Sequence, residues 1–203
     1  MITRQTSEAL DRAADIIRSG GVIAFRTDTF YGLGADPFNR EAVQRIKQLK
    51  GREDDKPILI VISDRDQADR LMAEVSPSFQ KLAKAIWPGA LTLIGRARAE
   101  LPEEITAGTK TVGVRLPNDD TVRALVKACG GALTATSANP SHAAPAGNAR
   151  AVQDYFGEAI DLIVDGGEAL TDQPSTVVDC TGNEARLVRE GVVSWTVLRN
   201  REQ

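Results

Sequence analysis

The chain has 203 residues, of which 42% are hydrophobic and 26% are charged, and its formal net charge is −3. This balance is typical of a soluble globular protein of one domain with a substantial core. The net negative charge argues against a protein that coats nucleic acid through bulk charge, although a local basic patch is compatible with it.

The first half of the sequence predicts helices that alternate with short apolar strands. Ser7 is a good N-cap for the first helix, and Gly20 and Gly21 end it. Pro77 suits the first turn of a later helix, where an N–H would have no intrahelical partner. In order we predict a helix to about residue 18, a strand at 22–25, a polar loop at 26–39, a helix capped by Asn39 at 40–49, a strand at 57–62, helices at 66–73 and 77–86, and a strand at 90–95.

Strands dominate the second half of the sequence. We predict strands at 111–116 and 131–136 around a helix at 121–129, a long Ala/Pro/Gly/Asn loop at 137–149, a helix near Val152, and three closely spaced β segments at 161–167, 175–180 and 185–191. Early alternation followed by clustered strands favours a twisted, mixed α/β sheet flanked by helices over a purely parallel one. Because no linker or repeat divides the chain, we predict a single domain over residues 1–203.

The segment QLKGREDDKP, residues 48–57, allows two interpretations. Gly51 can end the preceding helix in the left-handed conformation, and Lys50 and Arg52 on either side can complement the helix dipole. Three acidic residues follow and could neutralise these cations. Alternatively, the two cations are held out for a phosphate group. The local sequence favours the simple helix ending and leaves the phosphate site open.

The cysteines and the N-terminal sequence predict a cytoplasmic protein. Cys129 and Cys180 cannot build a disulfide framework and lack the spacing of a metal site, so they fit a reducing compartment. The N-terminal sequence is amphipathic and charged and lacks the apolar core of a signal peptide. No stretch approaches the length that spans a membrane.

Several common catalytic arrangements are missing from the sequence. Its one histidine, His142, nearly excludes a Ser-His-Asp triad or a histidine metal cage. The usual phosphate-loop motif is absent, and the Gly-Leu-Gly at 32–34 is too short for a dinucleotide fingerprint. The carboxylates are scattered, and their spacing indicates no acid–base pair.

Polar residues stand instead at strand ends and in loops, where a rigid sheet can orient them. Each of them alone has an ordinary explanation as an exposed strand residue, a turn former or a packing residue. These residues are Thr27, Thr29, Tyr31, Arg115, Ser137, Asn139, Ser175 and Arg189.

Taken together and in order, short stretches of the sequence resemble the YrdC-like family of threonylcarbamoyl-AMP synthases. They are TDTFYGLGAD, KGREDDKPI, WPGALTLI, TVGVRLP, TSANPS, DGG, STVVD and LVREG, and they extend over about residues 16–191. The paired Lys-x-Arg and Ser-x-Asn signatures are the most specific. The resemblance implies a single YrdC-like α/β domain around a large, concave, basic cavity.

The resemblance also implies an activity, partners and site residues. The implied reaction condenses L-threonine, bicarbonate and ATP into threonylcarbamoyl-AMP and pyrophosphate, with Mg²⁺ held mainly through the ATP phosphates. The product would pass to the tRNA threonylcarbamoyl-transferase machinery that modifies an adenosine of ANN-decoding tRNAs, and direct contact with tRNA or double-stranded RNA is a further implied property. Threonine would contact Thr29, Tyr31, Arg115 and Ser175, with Arg115 on its carboxylate. ATP would contact Lys50, Arg52, Lys56, Thr111, Ser137, Asn139, Asn148 and Arg189, of which Lys50 and Arg52 are the catalytic cations and also end the helix.

The sequence departs from the family pattern at four positions. Arg26 and Glu53 stand where proline is usual, Val61 where some members have a threonine-binding histidine, and His142 where glycine is usual. Among the remaining residues, we expect Asp28 to organise its own loop, Asp165 to form a turn, and Trp87 and the two cysteines to belong to the core.

The implied reaction suits a site rich in Lys, Arg, Ser, Thr and Asn side chains. A carboxylate, a carbamate and a triphosphate must be brought together, and fixed cations with correct orientation can supply up to roughly 7–11 kcal/mol of the barrier. Two alternatives remain at this point. The chain could be a YrdC-like module that binds nucleotide or double-stranded RNA without synthase activity, or a carbamoyl-transfer domain like those in larger hydrogenase-maturation proteins.

Overall fold

The structure is a computed structural model that describes residues 1–51, 56–171 and 173–202, with side chains described through residue 200. Its strands are β1 (Ile2–Arg4), β2 (Ile23–Arg26), β3 (Tyr31–Gly34), β4 (Ile60–Ile62), β5 (Met72–Glu74), β6 (Leu91–Ala97), β7 (Thr111–Arg115), β8 (Ala132–Thr134), β9 (Thr136–Ser137), β10 (Leu162–Asp165), β11 (Thr176–Asp179) and β12 (Arg186–Arg189). Its α-helices are α1 (Ser7–Arg18), α2 (Arg40–Lys50), α3 (Ala68–Leu71), α4 (Pro77–Ile86), α5 (Glu103–Thr106), α6 (Asp120–Ala128), α7 (Ala149–Phe156) and α8 (Trp195–Glu202).

The strands of the described residues form two mixed sheets. One has five strands in the order β1-β10-β2-β3-β9, with β1, β10 and β2 parallel and the other pairs antiparallel. The other has seven, with the path β12-β11-β6-β7-β4-β8 and β5 paired to β6. In it, β11 is parallel to β6 and β4 is parallel to β7. The predicted mixed α/β fold is confirmed, with its strands divided between two sheets.

The predicted strand at 131–136 is where the chain crosses between the sheets. Its first part, β8, pairs with β4 in the seven-stranded sheet, and its second part, β9, pairs with β3 in the five-stranded sheet. Between them the Ala135 N–H donates to the Leu59 carbonyl at 2.8 Å. Two short pairings in different sheets replace the one long pairing that the sequence suggests.

The helix signals at α2 and α4 are confirmed. The Asn39 side chain accepts the Ala42 N–H, and Gly51 ends α2 with a left-handed backbone at φ 57°. Pro77 is the first residue of α4. The first helix begins at Ser7, but Thr6 and not Ser7 is its N-cap, because the Thr6 hydroxyl accepts the Ala9 N–H.

Three local predictions were wrong or incomplete. The predicted loop at 26–39 contains the buried strand β3, which is hard to recognise because half of it is glycine, a weak strand former. Gly34 is required there, since a Cβ would lie 2.7 Å from the Phe25 ring. The predicted helix at 66–73 is a 3₁₀ turn and the four-residue α3, followed by β5, and the helix α8 was not predicted.

One large apolar cluster contains residues of both sheets and of α2, α4 and α7. Trp87 belongs to it, as predicted, with its ring edge-on to Phe79 and its indole N–H donating to the Leu91 carbonyl at 2.7 Å. Cys129 and Cys180 are buried, which confirms them as core residues. Burial raises the pKa of the Cys129 thiol to about 12. Among the described residues, no helix combines the length and apolar character needed to cross a membrane.

Candidate functional site

A cavity of about 780 Å³ lies where the two sheets approach each other. Its wall includes residues of β3 and β9 from one sheet and of β6, β7, β11 and β12 from the other. The predicted site residues that line it are Thr29, Tyr31, Lys50, Lys56, Thr111, Arg115, Ser137, Asn139, Ser175 and Arg189.

The wall of this cavity is locally positive. Lys50, Lys56, Arg115 and Arg189 contribute cationic side chains, and the described residues of the wall include no Asp or Glu. The net charge of −3 for the whole chain therefore conceals a concentrated patch of the opposite sign. Such a cavity favours an anionic ligand.

A second cavity of about 720 Å³ lies between α2 and α5. Glu103 and Glu104 stand in its wall together with Lys47, and none of the predicted site residues that the structure describes lines it. The candidate functional site is therefore the basic cavity.

Lys50 joins the end of α2 to the Ser-x-Asn loop. Its Nζ donates to the Ser137 carbonyl at 2.5 Å and to the Asn139 carbonyl at 2.8 Å. The Lys50 carbonyl in turn accepts the Ser141 N–H at 2.8 Å. Two signatures that are nearly ninety residues apart in sequence are thus in direct contact.

Asn139 carries an unused acceptor in this wall. Its amide nitrogen donates to the carbonyls of Pro140 and Ala143, at 2.9 and 2.8 Å. Its Oδ1 atom is buried and has no hydrogen-bond partner in the described part of the chain. A buried acceptor without a partner is costly, so a ligand that donates a hydrogen bond here would gain affinity.

Arg115 is buried in the wall with 2% exposure. Its Nη1 atom donates to the Thr29 hydroxyl at 3.1 Å, and its Nη2 atom lies 3.3 Å from Asp28 Oδ1. Burial lowers the pKa of Arg115, and the charge of Asp28 acts in the opposite direction. Thr29 also lies 3.1 Å from the hydroxyl of Thr27, which donates to the Phe30 carbonyl and so fixes this turn.

Ser175 and Arg189 lie next to each other in the wall. The Arg189 guanidinium donates to the Ser175 carbonyl at 3.0 Å through Nη2. The Ser175 hydroxyl is 2.9 Å from that of Thr92, and both residues are buried. Burial lowers the pKa of Arg189, and so does the positive charge of Arg115, which repels that of Arg189.

Tyr31 closes one side of the cavity and is fixed by the Asp-Gly-Gly turn. Its hydroxyl donates to the Gly167 carbonyl at 2.7 Å and accepts the Gly166 N–H at 3.2 Å. Burial raises the pKa of Tyr31 to about 12. Asp165 accepts the Gly167 N–H at 2.9 Å, which confirms it as a turn residue.

One predicted residue lies outside the cavity wall, and another lies outside the described residues. Asn148 is the N-cap of α7, where its side chain accepts the Ala151 N–H at 2.8 Å and donates weakly to Glu168 at 3.3 Å. It is not part of the cavity wall. Arg52 lies outside the described residues.

The departures from the family pattern have distinct surroundings. His142 lines the cavity and has a left-handed backbone at φ 71°, a conformation that favours glycine. Val61 is fully buried in an apolar cluster, and its register partner is Arg115. Arg26 forms an ion pair of 2.7 Å with Asp119, the N-cap of α6. Glu53 lies outside the described residues.

Sequence reasoning gave no binding role to three residues that support this wall. Thr27 and Thr92 each contact a predicted hydroxyl residue, and Asp28 contacts Arg115. Thr27 and Asp28 lie in the TDT stretch, which was a usable signal. Thr92 lies within WPGALTLI, one of the stretches that carry the family resemblance, but no feature of that strand identifies it as a binding residue.

Comparisons with known proteins agree with this geometry. The family model named Sua5_yciO_yrdC and described as "Telomere recombination" matches residues 15–191. The chain is 38% identical over 180 residues to a threonylcarbamoyl-AMP synthase of Pyrococcus abyssi, covering 88% of this chain but only 53% of that protein. It is 36% identical to one of Halorhodospira halophila, covering 82% of this chain and 87% of that protein.

A solved structure of P. abyssi Sua5 complexed with L-threonine matches with a TM-score of 0.93 and 35% identity, covering 99% of this chain and 60% of that one. The chain thus spans little more than half of the P. abyssi proteins and most of the H. halophila protein. A family match that extends over most of the sequence and relatives above 30% identity lead to one conclusion. This chain is a member of the Sua5/YciO/YrdC family.

Proposed function

We propose that this protein is an L-threonylcarbamoyladenylate synthase, a nucleotidyltransferase that condenses L-threonine, bicarbonate and ATP. The observation that carries the proposal is the basic cavity. The Lys50 and Ser-x-Asn elements meet there, a buried arginine lines the same cavity, and its described wall has no carboxylates. Relatives named threonylcarbamoyl-AMP synthase and a relative's structure complexed with L-threonine support it.

Threonine is assigned to the Arg115 side of the cavity. The guanidinium of Arg115 suits a carboxylate because its planar N–H donors can bind both oxygens. The hydroxyls of Thr29 and Ser175 are held by neighbouring hydroxyls, so they can orient the substrate at little entropic cost. Tyr31 bounds the same pocket.

ATP is assigned to the side formed by the end of α2 and the Ser-x-Asn loop. Lys50, Arg52 and Lys56 would contact its phosphates, while Thr111, Ser137, Asn139 and Arg189 would complete the nucleotide contacts. Asn148, the N-cap of α7, lies outside the cavity wall and would contact only a part of the nucleotide that extends beyond it. The buried Asn139 Oδ1 offers an acceptor for an N–H or O–H of the nucleotide.

The chemistry then follows from positioning. The threonine amine attacks bicarbonate, and loss of water leaves a carbamate. A carbamate oxygen attacks the α-phosphorus of ATP, the bond to the β-phosphate oxygen breaks, and pyrophosphate leaves. Fixed cations hold three anionic groups together and stabilise the charge on the transferring phosphate.

Mg²⁺ would enter with the nucleotide. No group of three His, Cys, Asp or Glu side chains in the described ranges could hold a metal, and the described wall offers hydroxyls and amides instead of carboxylates. This donor set fits an ion that keeps its ligands from phosphate and water. Bound in that way, Mg²⁺ would neutralise phosphate charge.

The product would pass to the tRNA threonylcarbamoyl-transferase machinery in the cytoplasm, and the basic cavity is a candidate for direct contact with tRNA. Such contact would weaken steeply with added salt, because lysine and arginine release counterions from RNA.

Omission of single substrates tests the proposal. The protein is incubated with Mg²⁺-ATP, L-threonine and bicarbonate, and pyrophosphate release is followed while each substrate is left out in turn. We expect release only with all three present. Release that ignores threonine and bicarbonate would rule out the reaction, and no release together with salt-sensitive RNA binding would identify a binding module.

A further inference from the structure

Asp28 lies directly behind Arg115 and outside the cavity wall. The side chains of Asp28 and Arg115 are 6% and 3% exposed, and Asp28 Oδ1 is 3.3 Å from Arg115 Nη2. Arg115 lines the cavity and Asp28 does not. The side chain of Asp28 therefore makes no direct contact with a ligand in the cavity, and its closest connection to the wall is through Arg115.

Asp28 is also tied to the loop that follows Arg115. Its Oδ2 atom accepts the Asn118 N–H at 3.4 Å, three residues beyond the end of β7. The carboxylate thus links the turn between β2 and β3 to the segment after β7. This link fixes the position of the guanidinium relative to Thr29, which follows Asp28 directly.

The contact between the two side chains leaves donors of Arg115 unused. Asp28 Oδ1 and Arg115 Nε are both buried without a hydrogen-bond partner among the described residues, although the ionic contact is close. An arginine has five N–H donors in a rigid fork. Asp28 therefore supplies a counter-charge while the guanidinium keeps donors for a ligand.

The local charges leave one positive charge to be matched. The positive charges of Arg115 and Arg189 repel each other. In the described part of the chain, Asp28 is the one carboxylate in an ionic contact with either of them. Two guanidinium groups and one carboxylate sum to +1, which one carboxylate of a ligand would neutralise. A buried arginine without a counter-ion would be strongly unfavourable, so Asp28 stabilises the charged guanidinium of Arg115 in the wall.

We propose that Asp28 is a positioning residue that holds Arg115 in the orientation that receives the carboxylate of the amino acid substrate. This inference rests on the proposed function, because it takes threonine as that substrate. It assigns no proton transfer to Asp28, which lies behind the wall.

Asp28→Asn tests this role because it keeps the shape and removes the charge. We expect the KM for threonine to rise about tenfold or more, while kcat and the KM for ATP change less than about threefold. Asp28→Glu keeps the charge and should recover part of the loss. Asp15→Asn, which removes a carboxylate from an exposed ion pair with Arg18, is the matched control and should change none of these constants.

A double-mutant cycle separates positioning from general destabilisation. If Asp28 acts through Arg115, Asp28→Asn should add almost nothing to the loss of threonine affinity caused by Arg115→Gln. Independent, additive losses would overturn the proposal. Tighter threonine binding by Asp28→Asn would also overturn it, because it would show a competitor for Arg115 instead of a support.

Calorimetric binding of L-threonine distinguishes this inference from the proposed function. Wild-type protein that binds threonine in an Asp28-dependent way without releasing pyrophosphate would refute the synthase and support the positioning role. If the wild-type protein turns over and Asp28→Asn has an unchanged KM for threonine, the synthase is supported and the positioning role of Asp28 is refuted. If Asp28→Asn does not fold, Asp28→Ser replaces it: this variant also removes the carboxylate, so the KM for threonine should rise about tenfold or more, and an unchanged KM would overturn the proposal.

Discussion

At the scale of single residues, the site is built from fixed charges and hydroxyls. Arg115 and Ser175 are each held in place by a neighbouring side chain, and Tyr31 by a backbone turn. His142 is the one histidine of the chain, and it stands exposed at the cavity with a strained backbone. Its place suggests a catalyst, whereas the proposed reaction needs orientation more than proton transfer.

We predict that His142→Gly keeps turnover within about threefold of wild type and does not lower the melting temperature. A non-glycine residue in the left-handed region costs about 1–2 kcal/mol, and relief of this strain offsets the greater freedom of glycine in the unfolded chain. Steady-state pyrophosphate release and thermal melting measure both effects. A loss of a hundredfold or more in a folded variant would assign His142 a direct part in the reaction.

At the scale of secondary structure, the end of α2 is both a helix terminus and part of the site. Gly51 takes the left-handed conformation, and Lys50 beside it donates to two carbonyls of the Ser-x-Asn loop. A Cβ added at Gly51 would meet no atom of the described residues within 4 Å. A substitution there therefore changes backbone preference without creating a clash in the described structure.

Gly51→Ala should destabilise the protein by about 1 kcal/mol and raise the KM for ATP more than the KM for threonine. The reason is that a strained cap displaces Lys50. Gly51→Asn is the matched control, because asparagine tolerates the left-handed region, and its effects on both stability and the KM for ATP should be smaller. Equal effects on the two Michaelis constants would contradict a link between this cap and the phosphate side.

The parts of the site that could be predicted are those whose determinants are local. Gly51 and its flanking cation are adjacent in sequence, and Ser137 and Asn139 open a recognisable loop. The supporting pairs join residues that are far apart: Thr92 and Ser175 are separated by 83 positions, and Thr29 and Arg115 by 86. Strand pairing is equally hard to predict from local sequence, because no residue near Ala135 indicates that β8 and β9 belong to different sheets.

At the scale of the whole molecule, two sheets and one helix end enclose a positive cavity in a chain of net charge −3. Surface acids elsewhere discourage nonspecific binding of nucleic acid, while the cavity concentrates anionic substrates. The charge distribution thus favours capture of small anions over coating of RNA. This agrees with the proposed synthase, whose small adenylate product would pass to a separate tRNA-modifying partner.

In the proposed reaction, this cavity joins the carbon of bicarbonate to threonine and to AMP. The most direct measurement follows labelled carbon from bicarbonate into a nucleotide adduct, in the presence of L-threonine and Mg²⁺-ATP. We predict a labelled product that contains one threonyl and one AMP group and that forms with one pyrophosphate. Pyrophosphate release without incorporation of the labelled carbon would contradict the account.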